Sequence, residues 1–600
     1  MYVSNLKLWN FRKYGSDSEV NLDQPNLNLD LNKDLNVLVG ENDSGKTAII
    51  DALKIIFKTH SFEWIRIEDD DFYKERNHLR IEVTLNDLST LEAKNFLEWL
   101  GWVGEGEEAV PYLRLILDVK RNPNTKEIKY YEVRAGVDEE GTTLSGEARE
   151  FLKVTYLRPL RDAGSELIPK QNSRLSQILQ GHHAFKNQGE KHDLVKLFKT
   201  FNKDVQNYFL GVDAEGNTIS DQEGEKLKKE VDRYIQEFYT SDSESEFGVV
   251  QGTLKHILEK LELSLKEVKN PGLGTLNKLF ISSELLHLKK DNWNGIKLGL
   301  IEEIEAHLHP QSQLQVMEAL QAQSGIQLIL TTHSPNLASK IKIENLILCH
   351  KNLTFPLRPS DTKLDEKQYV FLEKFLDTTK SDLFFAKGLI LVEGWSEEIL
   401  IPSIAKKIGI DLVKSGVSVI NVGNLGFSNY LNIFLRQTEP FNTLPIAVIT
   451  DSDIRPYSKE ESVDGAEFMD KFTPLDPAIY KTDTDARISS IKEKDEQSVK
   501  YFVSDNWTLE YCLANSNSFG EVFKIITKSI HTGTNWDDFN FSLSEKLLRG
   551  TLSKTEIAYK IATLLDSQYK NTTACIEILE PAEGDQAKYI TDAIKYASGV

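Results

Sequence analysis

The chain has 600 residues, 40% of them hydrophobic and 27% charged, with a formal net charge of −21 at pH 7. That length exceeds what one core serves and predicts roughly two to four domains. The acidic balance excludes nucleic-acid coating by the overall field. Any phosphate contact must come from local Lys and Arg patches, while a nuclease with metal-binding carboxylates stays open.

Cys349, Cys512 and Cys575 are far apart and form no C-x-x-C pair, which fits a reducing compartment with neither disulfide framework nor zinc ribbon. Met1 to Leu8 alternates polar and apolar residues like an opening strand and lacks the basic start and long apolar core of a signal peptide. No apolar run approaches membrane-spanning length. A soluble, cytoplasmic protein with no membrane partner is expected.

Leu8-Trp9-Asn10-Phe11-Arg12-Lys13-Tyr14 reads as the end of a strand and a basic turn. It resembles the opening "NFR" strand and turn of the RecF/SMC class of ABC-type ATPases, where this segment lies beside the nucleotide. The apolar run Leu35–Val39 follows, then Gly40-Glu41-Asn42-Asp43-Ser44-Gly45-Lys46-Thr47, then Ile49, Ile50, Leu53, Ile56 and Phe57 at helical spacing. G-x-x-x-x-G-K-T between a strand and a helix predicts a P-loop that binds ATP. Gly40, Asn42, Ser44 and Gly45 belong to the loop whose N–H groups wrap the triphosphate. Lys46 neutralises the β/γ oxygens, and Thr47 offers a hydroxyl to Mg²⁺.

Glu68-Asp69-Asp70-Asp71-Phe72 is expected as a solvated acidic loop or helix start rather than a metal site. Alternating runs at Arg80–Asn86, Tyr112–Val119 and Glu127–Arg134 predict an antiparallel meander, closed by a strand and basic turn over Val154–Asp162. From Leu167 to Val268 the composition turns to Lys, Glu and Gln, with helical periodicity over Leu194–Phe209, Leu227–Phe238 and Leu254–Val268. Ser241–Glu246 reads as a polar linker between them, and His182-His183 as surface. The segment is expected to be a helical insertion with an apolar face free for a partner chain or for its own domain.

Leu298–Ile301 is an apolar strand ending in Glu302 and Glu303, the Walker B arrangement. Glu302 would hold Mg²⁺ and Glu303 would orient the attacking water. Thr331-Thr332-His333-Ser334-Pro335 follows a second apolar run and resembles the switch of ABC-type enzymes, with His333 sensing the γ-phosphate. Pro271–Lys278 lies where such heads place their signature loop. The signature serine is absent and Ile304 stands where proline is usual, a departure that bears on turnover more than on binding. His307 and His309 match no zinc-ligand spacing.

A new domain is expected after Asp377-Thr378-Thr379-Lys380. Strands Gly388–Val392, Val417–Val422 and Ile446–Thr450 alternate with helices, so they should run parallel with their C-terminal ends on one edge. Glu393, Glu397, Asp451 and Asp453 gather at that edge, where clustered carboxylates call for one or two Mg²⁺ or Mn²⁺ ions able to activate water against a phosphodiester. E-G-x-x-E followed by D-x-D resembles a Toprim domain. An ABC-type head followed by Toprim resembles the OLD (overcoming lysogenization defect) nucleases, including Gabija-type and retron-associated defence enzymes.

That resemblance implies a further metal-site acid in T-L-E, matched by Thr508-Leu509-Glu510. It also implies a late lysine on the scissile phosphate, matched by Lys554, with Lys560 as fallback. Lys481–Lys500 is polar and charged and is expected as a mobile excursion near the substrate.

The expected fold is α/β: an ABC-type P-loop ATPase head over 1–165 and 269–378, a helical, dimerising insertion over 166–268, and a C-terminal Toprim domain over 379–600. The expected function is a metal-dependent DNA endonuclease gated by ATP, acting as a homodimer or larger assembly in phage defence, with a partner protein or RNA–DNA element open. The alternative is a DNA-binding repair or clamp-type ATPase whose Toprim unit is inactive or partner-dependent. A topoisomerase would need a tyrosine on a further DNA-binding domain, and no sequence of suitable size is left for one.

Overall fold

The structure is a computed structural model. It describes residues 1–600 apart from 61–64, 159–166, 183, 186–188, 239–242, 250–251, 267, 269, 290–293, 377–379, 424, 462–469 and 569–579. The expected basic turn at 159–162, His183, the start of the linker at 241–242, Asn424 and the domain boundary at 377–379 lie outside the described residues.

The N-terminal half is built on two sheets. β1 (Tyr2–Trp9), β2 (Leu27–Asp30), β4 (His78–Asn86), β5 (Leu100–Val103), β6 (Val110–Lys120), β7 (Val133–Ala135) and β8 (Thr142–Thr143) form a seven-stranded antiparallel sheet ordered β2-β1-β4-β6-β7-β8, with β5 also on β6. The meander is therefore present, but its third run is short. Ile128 makes only an isolated bridge to Arg121, Lys129 and Tyr130 after it are exposed, and strand pairing resumes at Val133.

β3 (Leu35–Val39), β9 (Thr155–Leu157), β10 (Leu298–Ile301), β11 (Gln327–Thr331), β12 (Leu346–His350) and β13 (Leu353–Pro356) form the second sheet, ordered β13-β12-β3-β11-β10-β9. All its neighbours are parallel except β12 and β13. Helix α1 (Lys46–Phe57) packs in the same apolar cluster as residues of both sheets, burying Ile49, Ile50, Leu53, Ile56 and Phe57. Each such side chain contributes about 1.5–3 kcal/mol. The Glu68–Phe72 cluster is a single 3₁₀ turn over Asp69–Asp71. It is not wholly solvated: Asp71 is buried because Arg12 Nε donates to it at 2.8 Å.

Between β9 and β10 lie α2 (Arg174–Gly181), α3 (Asp193–Leu210), α4 (Glu223–Phe238), α5 (Leu254–Leu258) and α6 (Leu273–Leu288). α3 and α4 pack on each other and leave Leu197, Phe201, Leu227, Tyr234 and Phe238 exposed. The expected Leu254–Val268 helix ends at Leu258. Ile257 and Leu258 are buried, whereas Leu265 and Val268 are exposed, so the later repeat has no core to fold against.

The C-terminal half carries β14 (Gly388–Val392), β15 (Val417–Asn421), β16 (Ile446–Thr450) and β19 (Val499–Val503) in an all-parallel sheet ordered β15-β14-β16-β19. β17 (Tyr457–Glu461) and β18 (Asp470–Pro474) make a separate hairpin. Its helices include α7 (Trp395–Lys407), α8 (Pro477–Lys492), α9 (Leu509–Asn515), α10 (Lys554–Gln568) and α11 (Lys588–Ser598). The mobile excursion expected over Lys481–Lys500 is instead α8 and the start of β19. Its polar face is the solvent side of a crossover helix, and the strand it delivers pairs with β16.

Strand alternation sets how the halves meet. Leu389 and Leu391 of β14 join Ile420, Ile446 and Val448 in the same apolar cluster as Val37, Leu330 and Leu348 of the second sheet. Ile390 and Val392 face the other way with Ala447 and Ile449, under α7, α9, α10 and α11. One core thus runs from the P-loop sheet to the inner face of the C-terminal sheet.

Candidate active site

The nucleotide loop sits where β3 meets α1. Gly40 has φ 139°, and a Cβ there would stand 2.2 Å from the Cys349 carbonyl oxygen. Gly45 has φ 103°, and its Cβ would stand 2.3 Å from Tyr14 Oη. Both positions therefore require glycine. Lys46 Nζ donates to the carbonyls of Gly40 (2.9 Å) and Glu41 (2.6 Å) and to Ser44 Oγ (3.2 Å). Those oxygens hold the acceptor places that phosphate oxygens would take. Burial pulls the Lys46 ammonium below the ordinary lysine range. Asn42 and Thr47 are exposed at the loop.

Because β3, β11 and β10 are parallel neighbours, their C-terminal ends bring the other expected groups to the same edge. Glu302, after β10, is buried. Tyr156 Oη donates to its Oε1 at 2.7 Å, and Thr47 also hydrogen-bonds it. Burial nevertheless raises the Glu302 pKa. Glu303 follows with φ 43°, its N–H donating to Thr331 Oγ1 at 3.0 Å. His333, after β11, is lowered first by burial and then by the charge of Lys46, with Glu305 and Glu303 opposing. Glu305 fixes this switch, accepting from Thr332 Oγ1 (2.8 Å) and from the His333 N–H (2.6 Å).

The second cluster stands at the C-terminal edge of the other parallel sheet. β14 lies between β15 and β16: the chain crosses from β14 to β15 on one side and then from β15 past β14 to β16 on the other, so the strand order reverses and opens a crevice between β14 and β16. Glu393 ends β14 and accepts from Thr450 Oγ1 at 2.6 Å. Glu397 sits on the first turn of α7, Asp451 ends β16, and buried Glu510 follows the Thr508 cap of α9. Lys554 Nζ, at the start of α10, donates to Glu510 Oε2 at 2.9 Å.

Electrostatics ties these five together. Asp451 is pushed well above the carboxylate range, first by burial, then by the charges of Glu510 and Glu397, with Lys554 opposing. Glu397 is raised to about 7, mainly by burial. Burial works against the Lys554 charge, but Glu510, Asp451 and Glu397 outweigh it and raise its pKa. Lys560 instead pairs with Glu556 at 3.1 Å, one turn along the same helix. Asp453 is exposed, with φ 59° and its N–H donating to the Trp507 carbonyl, and its carboxyl enters no described interaction of the cluster.

Hard oxygen donors short of positive charge suit a divalent cation. Among the described residues, however, no three His, Cys, Asp or Glu side chains stand close enough together to hold one as they are.

Sequence reading gave no role to Tyr156, Glu305 or Thr450, although each lies within or beside a quoted motif. It gave no signal for Tyr589 on α11, whose buried hydroxyl has no partner among the described residues and which feels the charges of Asp451, Glu397 and Glu510.

Residues 35–339 match the family profile described as "AAA domain, putative AbiEii toxin, Type IV TA system". The chain belongs to this AAA-domain family. Residues 384–453 match the Toprim domain of overcoming lysogenization defect protein-like sequences, so a P-loop AAA head is followed by an OLD-like Toprim domain. The chain is 25% identical over 443 residues to "Endonuclease GajA" of Bacillus cereus (strain VD045), covering 72% of each chain. It is 25% identical over 174 residues to "OLD nuclease" of Thermus scotoductus (strain ATCC 700910 / SA-01), covering 27% of this chain and 32% of that one. Among solved structures, the C-terminal region of the Burkholderia pseudomallei OLD protein matches at 22% identity and a TM-score of 0.23, covering 36% of this chain and 98% of that one. Among the described residues no helix of this AAA–Toprim chain is long and apolar enough to cross a membrane.

Proposed function

We propose that this chain is a metal-dependent DNA endonuclease whose phosphodiester hydrolysis is gated by ATP at residues 40–47. The observation that carries the reading is the gathering of Glu393, Glu397, Asp451 and Glu510 around Lys554 at the crevice between β14 and β16. A bound Mg²⁺ or Mn²⁺ would lower the pKa of a water and offset phosphate charge. The acids would hold it, drawn inward from their present spacing, with Asp453 reaching in from the same edge. Glu393, fixed by Thr450, is the group placed to take the water's proton. Lys554 is the group placed to meet the scissile phosphate. At the head, Thr47 and Glu302 serve Mg²⁺, Glu303 the attacking water and His333 the γ-phosphate.

The domain division at 165, 268 and 378 belongs to the same proposal. So does assembly into a homodimer or larger oligomer through the exposed apolar side chains of α3 and α4. Phage defence, and a partner protein or RNA–DNA element, rest on the OLD resemblance. A clamp-type ATPase with an inactive or partner-dependent Toprim unit is the competing reading, and the spacing of the acids is the observation on its side.

The test is cleavage of supercoiled and linear DNA with Mg²⁺ or Mn²⁺ by wild type, Asp451→Ala and Lys46→Ala, each with and without ATP. Loss of cutting in Asp451→Ala and of the ATP response in Lys46→Ala is expected. ATP hydrolysis without cutting under any metal condition would favour the clamp-type reading.

A further inference from the structure

From Gly388 to Ala405 the chain builds β14 and most of α7, and every residue but one is at least partly buried. The exception is Trp395, 66% exposed. A tryptophan left in water at a position open to any polar residue is the kind of exposure that marks a contact site. Among the described residues its ring has no aromatic or cation partner and its indole N–H no acceptor. Its place is fixed. It is the first residue of α7, after Gly394, and that turn is tied to β15 by Asn421 Nδ2 donating to Glu398 Oε2 at 2.9 Å. Only Gly394 separates it from Glu393, so its Cα lies within about 7 Å of that of the carboxylate residue.

Cations flank the same edge. Lys554 stands among the acids, and exposed Arg455 follows β16, the strand paired with β14, with no ion pair among the described residues. An aromatic face beside phosphate-binding cations is the arrangement that holds single-stranded nucleic acid, because every base has a face to stack and every nucleotide a phosphate. In an intact duplex both faces of a base are already covered. A base can meet Trp395 only once it has left its stack.

We infer that Trp395 is the stacking platform for the base next to the scissile phosphate, so that the substrate carries an unstacked nucleotide at the cut: single-stranded, gapped or flapped DNA. This rests on the endonuclease reading and names its substrate class.

The probe is one oligonucleotide with 2-aminopurine at a central position, used as a single strand and as a blunt duplex. Each is titrated with the full-length protein in Ca²⁺ to suppress cutting. Trp395→Ala should weaken single-strand binding by about tenfold, with duplex binding changed much less, and should abolish the quenching of 2-aminopurine. Trp395→Phe should retain most of both. Equal binding by wild type and Trp395→Ala overturns the inference while leaving the endonuclease reading intact. Equal loss on single strand and duplex, or a loss in Trp395→Phe matching that in Trp395→Ala, also overturns it. If the wild type binds neither DNA, the endonuclease reading falls with it.

Discussion

Lys387 Nζ stands 3.5 Å from Glu41 Oε2, while His350 Nδ1 stands 3.7 Å from the other oxygen of the same carboxylate. Glu41 is a P-loop residue whose carbonyl accepts from Lys46, and Lys387 immediately precedes β14, the strand that ends at Glu393. The P-loop is therefore in direct contact with the start of β14, the strand whose far end leads to Glu393, as well as sharing a core with it. A change in the loop on nucleotide binding would reach the strand beneath Glu393. The lysine is 63% exposed, so the pair is worth at most about 1 kcal/mol. Lys387→Met is expected to leave ATP affinity within about twofold and to reduce the ATP response of DNA cutting by up to about fivefold. Cleavage rates with and without ATP, beside a direct binding titration, decide it. An unchanged response removes this bridge as a route of coupling.

Arg174 and Glu284 form a bidentate ion pair, 2.6 and 2.7 Å, between α2 and the helix that follows the signature-like loop. Both side chains are nearly excluded from solvent. Arg174→Met alone would strand a buried carboxylate and should cost about 3–5 kcal/mol in denaturant unfolding. Adding Glu284→Leu removes the stranded charge and should return most of that loss. If the double variant is as unstable as the single one, packing rather than charge is what α2 supplies.

At the nucleotide loop the prediction concerns backbone. Gly45→Ala demands φ 103° of an L-residue and drives its Cβ to 2.3 Å from Tyr14 Oη. It should abolish binding of a fluorescent ATP analogue. Tyr14→Phe removes a buried hydroxyl with no partner among the described residues and should be neutral or stabilising, within about 1 kcal/mol. Combining the two should not restore binding, because the strained φ remains. Full rescue would show that contact with Tyr14, not backbone conformation, makes glycine necessary.

Much of this was legible because the chemistry is local. Glu302, Glu393 and Asp451 stand directly after a buried strand, and Lys46 and His333 belong to the loop or turn that follows one, so parallel pairing carries them to shared edges. What periodicity could not show was which amphipathic runs find a core. Leu254–Val268 carries the stronger apolar repeat and Lys481–Lys500 is mostly polar, yet the first loses its helix after Leu258 while the second forms α8 and leads into a strand that pairs with β16. D-x-D spacing likewise cannot reveal that the turn at φ 59° leaves Asp453 exposed while Asp451 is half-buried, facing the charges of Glu510, Glu397 and Lys554. Tyr589 was invisible for a different reason: the acids whose charges it feels are distant in sequence and no motif surrounds it.

The acid cluster predicts how stability should follow pH. Glu397 is raised from 4.5 to about 7, first by burial and then by its acidic neighbours. Below the ordinary carboxylate range the group is protonated in folded and unfolded chains alike and contributes nothing. As pH rises from 4.5 towards 7, the unfolded chain releases this proton while the folded one keeps it, so the unfolded state gains and stability falls. Above about 7 both are ionised and the loss, on the order of 3 kcal/mol, is complete. Asp451, raised in the same direction, extends the fall upward. Unfolding of the metal-free protein between pH 4.5 and 8 should show this decline, with Glu397→Gln flattening it. Saturating Mg²⁺ should flatten it as well, since a cation among the acids stabilises their ionised forms. A metal-free profile that is flat, or that rises with pH by the same amount in wild type and Glu397→Gln, would mean that the acids are compensated within the chain. The case for a resident divalent ion would then lose its electrostatic basis.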